Sequence, residues 1–228
     1  VCYFLPLLSG AYKVYSTPEQ SFWCCVGSGF ESHAKYAESI YFHGDDRLYV
    51  NLFIPSELNW REKGMRLRQT TGFPTNGSVG IELLDAPGEE VEIALRYPAW
   101  SGKPEVKVNG RRVKVNATPS SYIPLKRRWK SGDRIEVNYP MELKVETAPD
   151  NPHRGAVVYG PVVLAGDLGT EGMTGCAPFS DPTVRNDYYT YDYHIPEGLK
   201  TSLSIDPTDP SASLKREGDT LVLSLIHI

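Results

Sequence analysis

The stretch Val106-Lys107-Val108-Asn109-Gly110-Arg111-Arg112-Val113-Lys114-Val115 decides the class of fold. Valine alternates with charged or polar residues on both sides of Asn109-Gly110, as in strands that have one buried face. Asn-Gly supplies the two positive φ angles of a type I′ turn, whose twist matches that of paired strands. The sequence therefore predicts a tight antiparallel hairpin over residues 106–115.

The two-residue period continues outward from this hairpin in both directions. Strand-like runs separated by Pro and Gly turns occupy residues 48–54, 65–70, 79–84, 91–96, 122–125 and 134–139. The segment Lys130-Ser131-Gly132-Asp133 is a turn that introduces the last of these runs. Short strands at this spacing are typical of an antiparallel sandwich. We therefore predict a mainly β fold with a β-sandwich domain over residues 44–142.

A second β-rich domain, truncated, is predicted over residues 143–222. Its clearest segment is the apolar run 156–165, which indicates a strand covered on both faces. Residues 167–212 are rich in Gly, Pro, Asp, Thr and Ser, which predicts long loops. Residues 223–228 match, in translation, the start of a common sequencing adapter, so we expect them to be an adapter-derived tail in which His227 has no function.

Residues 1–43 lack the two-residue alternation of the strand-like segments that follow. Ser28-Gly29-Phe30-Glu31 has the pattern of a capping box, which predicts a helix from Ser28 to about Tyr41. Apolar residues at helical spacing give this helix one apolar face: Phe30, Ala34, Ala37, Ile40 and Tyr41. One amphipathic helix cannot form a domain alone, so we expect the chain to begin inside a longer protein.

Composition excludes some classes of function. The 228 residues carry a net charge of −4, and Lys and Arg are interleaved with Asp and Glu, so a nucleic acid partner is not expected. No run of about 18 apolar residues is present, so membrane insertion is not expected either.

The adjacent pair Cys24 and Cys25 is the main candidate for chemistry. A vicinal disulfide is strained, so a shared metal is a better use of the pair, although two buried thiols acting as small apolar groups remain an equal alternative. A position just before a helix favours thiolate, because the amides and the dipole at a helix N-terminus stabilise negative charge. The other two cysteines are Cys2 and Cys176.

Other candidates are weaker. His33 is nine residues after Cys24, but a histidine on a helix surface is more often solvated than catalytic. Ser28 lies between two glycines without the preceding apolar strand of a nucleophile elbow. The basic run 126–130 is explained by a turn between strands, and the tyrosines of residues 188–193 by loops that cover one end of a sandwich.

Longer stretches of the chain carry a resemblance to a known family. They are residues 16–36, which include Trp23-Cys24-Cys25-Val26-Gly27-Ser28-Gly29, and residues 48–56, 94–100, 108–110 and 159–164. Here the chain resembles the bacterial β-L-arabinofuranosidases of glycoside hydrolase families 127 and 146. Their fold is an (α/α)6 barrel followed by C-terminal β-sandwich domains. The resemblance implies that residues 1–43 are the C-terminal end of the barrel and that the chain is a C-terminal fragment.

The resemblance also implies a mechanism. Cys24 would be the nucleophile of a retaining hydrolase and a Zn²⁺ ligand, and Cys25 a second Zn²⁺ ligand. A Glu and a Cys that complete the metal site, and a Glu acting as general acid and base, would come from upstream, since neither Glu19 nor Glu31 matches the family's motif. The substrate class would be arabinose-containing plant glycans, and the location periplasmic or extracellular. Cys2 would have no role in the metal site.

Two other classes of protein stay open at this point. A non-catalytic carbohydrate-binding sandwich would bind sugar without its cysteines. A redox or cysteine-nucleophile protein would have a Cys24 that reacts rapidly with alkylating reagents. We further predict that this chain alone is inactive and binds zinc weakly.

Overall fold

The computed structural model describes residues 24–165, 204–217 and 220–223. The described residues divide into two compact units. One unit comprises residues 36–164, and the other contains the helix α1 (Cys24–Ala34) and a hairpin of β14 (Leu214–Glu217) with β15 (Thr220–Leu223). Within these ranges, no helix is long and apolar enough to cross a membrane.

The unit of residues 36–164 is built almost entirely of strands. They are β1 (Tyr41–His43), β2 (Arg47–Val50), β3 (Ser56–Trp60), β4 (Met65–Thr71), β5 (Ser78–Asp85), β6 (Glu90–Tyr97), β7 (Glu105–Val108), β8 (Arg111–Val113), β9 (Ser121–Arg128), β10 (Arg134–Asn138), β11 (Leu143–Ala148), β12 (Asn151–Tyr159) and β13 (Val162–Val163). Single 3-10 turns occupy Tyr36–Ser39 and Arg61–Lys63.

Two sheets form the sandwich. One has six strands in the order β3-β4-β5-β10-β7-β8, and the other has four in the order β1-β2-β6-β9. Strands β2 and β6 run parallel, with Leu48 opposite Ile93, whereas the other paired strands of these sheets are antiparallel. Alternate residues of both sheets meet in a single buried core. The prediction of a mainly β fold with a sandwich domain is therefore confirmed.

Trp129 and Tyr139 are the most deeply buried of the tryptophans and tyrosines in this core, and the polar group of each has a partner. Trp129 is 2% exposed and donates its indole N–H to the carbonyl of Val91 at 2.9 Å. Tyr139 is 1% exposed and donates its hydroxyl to the carbonyl of Arg96 at 2.6 Å. Burial raises the pKa of the Tyr139 phenol well above its usual range, so the hydroxyl remains a proton donor.

The hairpin predicted from Asn109-Gly110 is confirmed. The two residues have φ angles of 51° and 75°, and Val108 pairs with Arg111 across the turn. The Asn109 side chain also reaches the neighbouring turn, where it donates to the Asp133 carboxylate at 2.8 Å and accepts from the Arg134 amide at 2.8 Å. The two turns therefore stabilise each other.

The strand predicted over residues 48–54 is wrong in its second half. Strand β2 ends at Val50, because the buried Gln69 amide donates to the carbonyls of Leu52 at 3.1 Å and Ile54 at 2.8 Å. These carbonyls are therefore satisfied by a side chain rather than by a neighbouring strand. The chain then enters β3, which was not predicted because Ser56, Glu57 and Asn59 give it a polar composition.

The helix predicted from Ser28 to Tyr41 is also wrong in its bounds. Helix α1 begins four residues earlier, at Cys24, so Ser28 lies inside it and its carbonyl accepts from the Ser32 hydroxyl at 3.1 Å. Phe30 is 60% exposed rather than packed. The α-helix ends at Ala34, and a 3-10 turn follows over Tyr36–Ser39. Beyond it the carbonyls of Ser39 and Ile40 accept hydrogen bonds from the side chain and backbone of Asn51.

The single strand predicted over residues 156–165 is divided in two. Val157 and Val158 are both buried, as expected of a strand covered on both faces. Gly160 then adopts a φ of 56°, which turns the chain into β13, where Val163 is 64% exposed. Cys2, Cys176, the tyrosines of residues 188–193 and residues 224–228 lie outside the described residues, and the predicted domain boundaries remain predictions.

Candidate functional site

Helix α1 positions the adjacent cysteines. Cys24 and Cys25 are its first two residues, and its first turn contains no acidic residue. The sequence had placed them just before a helix, whereas the structure places them in the first turn itself. Backbone amides without intrahelical partners and the positive end of the helix dipole are found at this position. This backbone environment favours an anionic sulfur, whether as nucleophile or as metal ligand.

Within the described part of the chain, the candidates His33 and Glu31 do not join this pair in a common site. His33 is in the last turn of α1, at the opposite end from the cysteines, and Glu31 is exposed on the same helix. Among the described residues, no group of three or more His, Cys, Asp or Glu side chains could hold a metal ion. Cys2 and Glu19 lie outside the described residues.

The six-stranded sheet has a shallow groove of about 250 Å³ on its solvent side. Gly80 and Thr70, on the neighbouring strands β5 and β4, are among its lining residues. Its two cations are paired, Arg68 with Glu57 at 2.8 Å and Arg134 with Glu82 at 3.2 Å, and Glu136 is its other charged lining residue. A charge-balanced groove of this kind has no clear ligand, and we assign it no function.

The basic run 126–130 is not simply a turn. Residues 126–128 belong to β9, and Trp129 is a core residue with the guanidinium of Arg127 over its ring at 5.2 Å. The turn that follows is closed by Asp133, which accepts from the amide of Lys130 at 2.9 Å. Burial alone would raise the pKa of Asp133, but the hydrogen bonds from Asn109 and Lys130 outweigh it and hold the pKa below the ordinary value.

A surface of the four-stranded sheet was missed by the sequence reasoning. The residues on its outward face form a cross-strand row from edge to edge, which we call the aromatic face: Phe42, Tyr49, Ala94 and Pro124, with Tyr122 beside them. The rings of Tyr49 and Tyr122 meet edge to face, with centroids 5.0 Å apart. The alternation of buried and exposed residues in β2 puts Tyr49 on the outward face, between the inward Leu48 and Val50. The residues next to Tyr49 on other strands could not be predicted from the sequence.

Comparison with known proteins places these features in context. Residues 1–38 match the family model described as the beta-L-arabinofuranosidase GH127 catalytic domain, and residues 47–141 match the GH127 middle domain. The first match contains both cysteines, and the second contains most of the sandwich. None of the curated protein sequences compared with the chain matches it.

Solved structures give the same result. A protein described as a glycoside hydrolase is 29% identical with a TM-score of 0.59, and the match covers 64% of this chain and 26% of that one. A GH127 beta-L-arabinofuranosidase from Geobacillus stearothermophilus T6 is 26% identical with a TM-score of 0.56, covering 61% and 23% of the two chains. The chain thus spans about a quarter of the length of these structures.

A catalytic-domain match over the cysteines, followed by a middle-domain match over the sandwich, is the domain order of a glycoside hydrolase family. Because the two matches lie in the order of one architecture and together span more than half of the chain, the chain belongs to glycoside hydrolase family 127.

Proposed function

We propose that the protein containing this chain is a retaining, zinc-dependent β-L-arabinofuranosidase that acts on arabinose-containing plant glycans. The observation that carries this proposal is the position of Cys24 and Cys25 within the match to the GH127 catalytic domain and at the start of helix α1. The solved enzyme from Geobacillus stearothermophilus T6 is described as a beta-L-arabinofuranosidase, which supports the same substrate class.

Cys24 is the proposed nucleophile. Its thiolate sulfur attacks the anomeric carbon, a carbon–sulfur bond forms, and the bond from that carbon to the leaving oxygen breaks. The leaving oxygen takes a proton from a carboxylic acid of the protein, and water then displaces the sulfur in a second step. Two inversions at one carbon retain its configuration. The first turn of α1 contributes to this step by stabilising negative charge on the sulfur before attack.

Cys24 and Cys25 would also hold Zn²⁺. The donor set fits this metal, because thiolates are among its preferred ligands and a protein zinc site most often has four ligands. Two thiols supply half of such a set, and we propose that a Glu and a further Cys outside the described residues complete it. When bound, Zn²⁺ would keep the thiols deprotonated at neutral pH.

Substitutions in the complete protein test the two roles separately. Cys24→Ala should abolish release of arabinose from an aryl β-L-arabinofuranoside, with a loss of about 10³-fold or more in kcat. Cys25→Ala should lower the zinc content measured by mass spectrometry. Cys2→Ala is the matched control and should leave both kcat and the zinc content unchanged. Full turnover by Cys24→Ala would refute the nucleophile, and an unchanged zinc content in Cys25→Ala would refute the ligand.

The 228-residue chain alone provides a second test. With half of the zinc ligands and without the acid, it should show no turnover of the same substrate. Hydrolysis by this chain at the rate of the complete protein would refute the proposal that the chain contains only part of the active site.

A further inference from the structure

The outward side of the four-stranded sheet combines exposed rings with unbalanced positive charge. We propose that it binds an acidic glycan, meaning a polysaccharide whose sugar rings carry carboxylates. The surface consists of the aromatic face and the charged residues that flank it on the same sheet. The inference goes beyond the hydrolysis proposed above, since it requires neither the cysteines nor turnover.

The aromatic face is continuous across the sheet. Phe42 pairs with Tyr49, Tyr49 with Ala94, and Ala94 with Pro124, so the row crosses all four strands. Three interstrand spacings of about 4.8 Å give it a length of about 14 Å. Phe42 is 48% exposed and Pro124 is also exposed. Tyr49 is half-buried, with the Arg47 guanidinium over its ring at 5.7 Å. The exposed rings of Phe42 and Pro124 present apolar surfaces on which the C–H faces of sugar rings can pack.

The small side chain of Ala94 shapes the middle of this row. Ala94 is 2% exposed and lies between the larger Tyr49 and Pro124 on its neighbouring strands. Ala94 is therefore covered by its neighbours, and the edge-to-face pair of Tyr49 and Tyr122 lies beside it. The hydroxyl of Tyr122 donates to the Asn51 side chain at 2.8 Å, which fixes the position of its ring.

The charges around the row favour an anionic ligand. Four cations and two anions share this face by strand alternation: Arg47, Arg96, Lys126 and Arg128 with Glu90 and Glu92. Arg47 pairs with Glu92 at 2.8 Å, and Lys126 with Glu90 at 3.5 Å. Among the described residues, neither Arg96 nor Arg128 has a carboxylate within salt-bridge distance. The face thus has an excess of two positive charges in a chain whose net charge is −4.

This combination distinguishes an acidic glycan from other anions. Guanidinium groups bind carboxylates with paired hydrogen bonds, and Arg96 is the cation directly opposite Tyr122. Nucleic acid also offers rings and negative charge. However, its high charge density calls for a much larger basic field than two excess charges, and the net charge of the chain opposes it.

Binding of the full chain to polygalacturonate tests the proposal, with its fully methyl-esterified form as the neutral counterpart. Affinity electrophoresis and calorimetry should give at least tenfold tighter binding to the free acid. Tyr49→Ala and Phe42→Ala should weaken binding to both polymers. Arg96→Gln should weaken binding to the acid alone, and Arg68→Gln, on the opposite sheet, should change neither.

Several results would overturn the proposal. They are an absence of binding to polygalacturonate, equal binding of the acid and its ester, or equal losses in Arg96→Gln and Arg68→Gln. Concentration-dependent dimers that Phe42→Ala dissociates would instead assign the face to a second copy of the chain. Tyr49→Phe keeps the ring and should bind normally, and thermal unfolding of each variant separates lost binding from lost folding.

A failure of this proposal is distinguishable from a failure of the proposed hydrolase. Cys24→Ala should bind polygalacturonate as tightly as the unchanged chain. Binding by this chain together with no turnover by the complete protein would leave the glycan surface intact and refute only the hydrolase, whereas turnover by the complete protein without binding by this chain would do the reverse.

Discussion

Replacing Asp133 by Ala should destabilise the sandwich by about 3 kcal/mol. The Asp133 side chain is 7% exposed and accepts two hydrogen bonds, from the Asn109 side chain at 2.8 Å and the Lys130 amide at 2.9 Å. A hydrogen bond to a charged group contributes about 1.5–3 kcal/mol, and its removal leaves the donors without a partner. The value of 3 kcal/mol is near the bottom of the range for two such bonds, because burial of the carboxylate opposes them.

The stability contributed by Asp133 should depend on pH in a defined direction. Its pKa in the folded protein lies below the ordinary value of 3.8. The unfolded chain therefore binds the proton more readily, and the contribution is complete above the unfolded pKa and lost as the pH falls through the folded one. Asp133→Asn, which has no charge, should cost about 1–2 kcal/mol at pH 7, and this difference should shrink below pH of about 4.

Urea unfolding followed by tryptophan fluorescence measures these differences, because Trp129 lies in the core. Asp85→Ala is the matched control. Its carboxylate is exposed and pairs with Arg66 at 3.1 Å, so its removal should cost less than about 0.5 kcal/mol. A cost below about 1 kcal/mol for Asp133→Ala, or a difference for Asp133→Asn that stays constant with pH, would refute the reasoning.

Three further substitutions test the packing of the sandwich. Gly77→Ala should destabilise it by more than about 3 kcal/mol, because a Cβ there would overlap the backbone carbonyl of Tyr139. Gly88→Ala is the control, because the new Cβ has open space around it. It should be neutral or stabilising by up to about 1 kcal/mol in the same urea titration. Equal effects at the two glycines would contradict the predicted overlap at Gly77. Trp129→Phe should lower the free energy of unfolding by about 2–3 kcal/mol, because it leaves the buried Val91 carbonyl without its donor. A decrease of less than about 0.5 kcal/mol in thermal or urea unfolding would be inconsistent with that hydrogen bond.

Part of the candidate site could be predicted from the sequence. The pair Cys24 and Cys25, together with its flanking residues, led to the family that the comparisons support. The start of helix α1 was predicted four residues too late, because the capping-box pattern at Ser28 is compatible with a position inside a helix. The aromatic face was not predicted, because it depends on which strands are neighbours.

The sequence by itself determined the local elements of this protein. Asn109-Gly110 selected a type I′ turn because both residues tolerate positive φ, and alternation in β4, β5 and β10 determined which side chains face inward. Only the tertiary structure decided that β2 ends where the Gln69 amide captures its following carbonyls, and that β2 lies parallel to β6. Turns and alternation act between residues close in sequence, whereas these pairings join residues about fifteen to forty-five positions apart that meet only when the core closes.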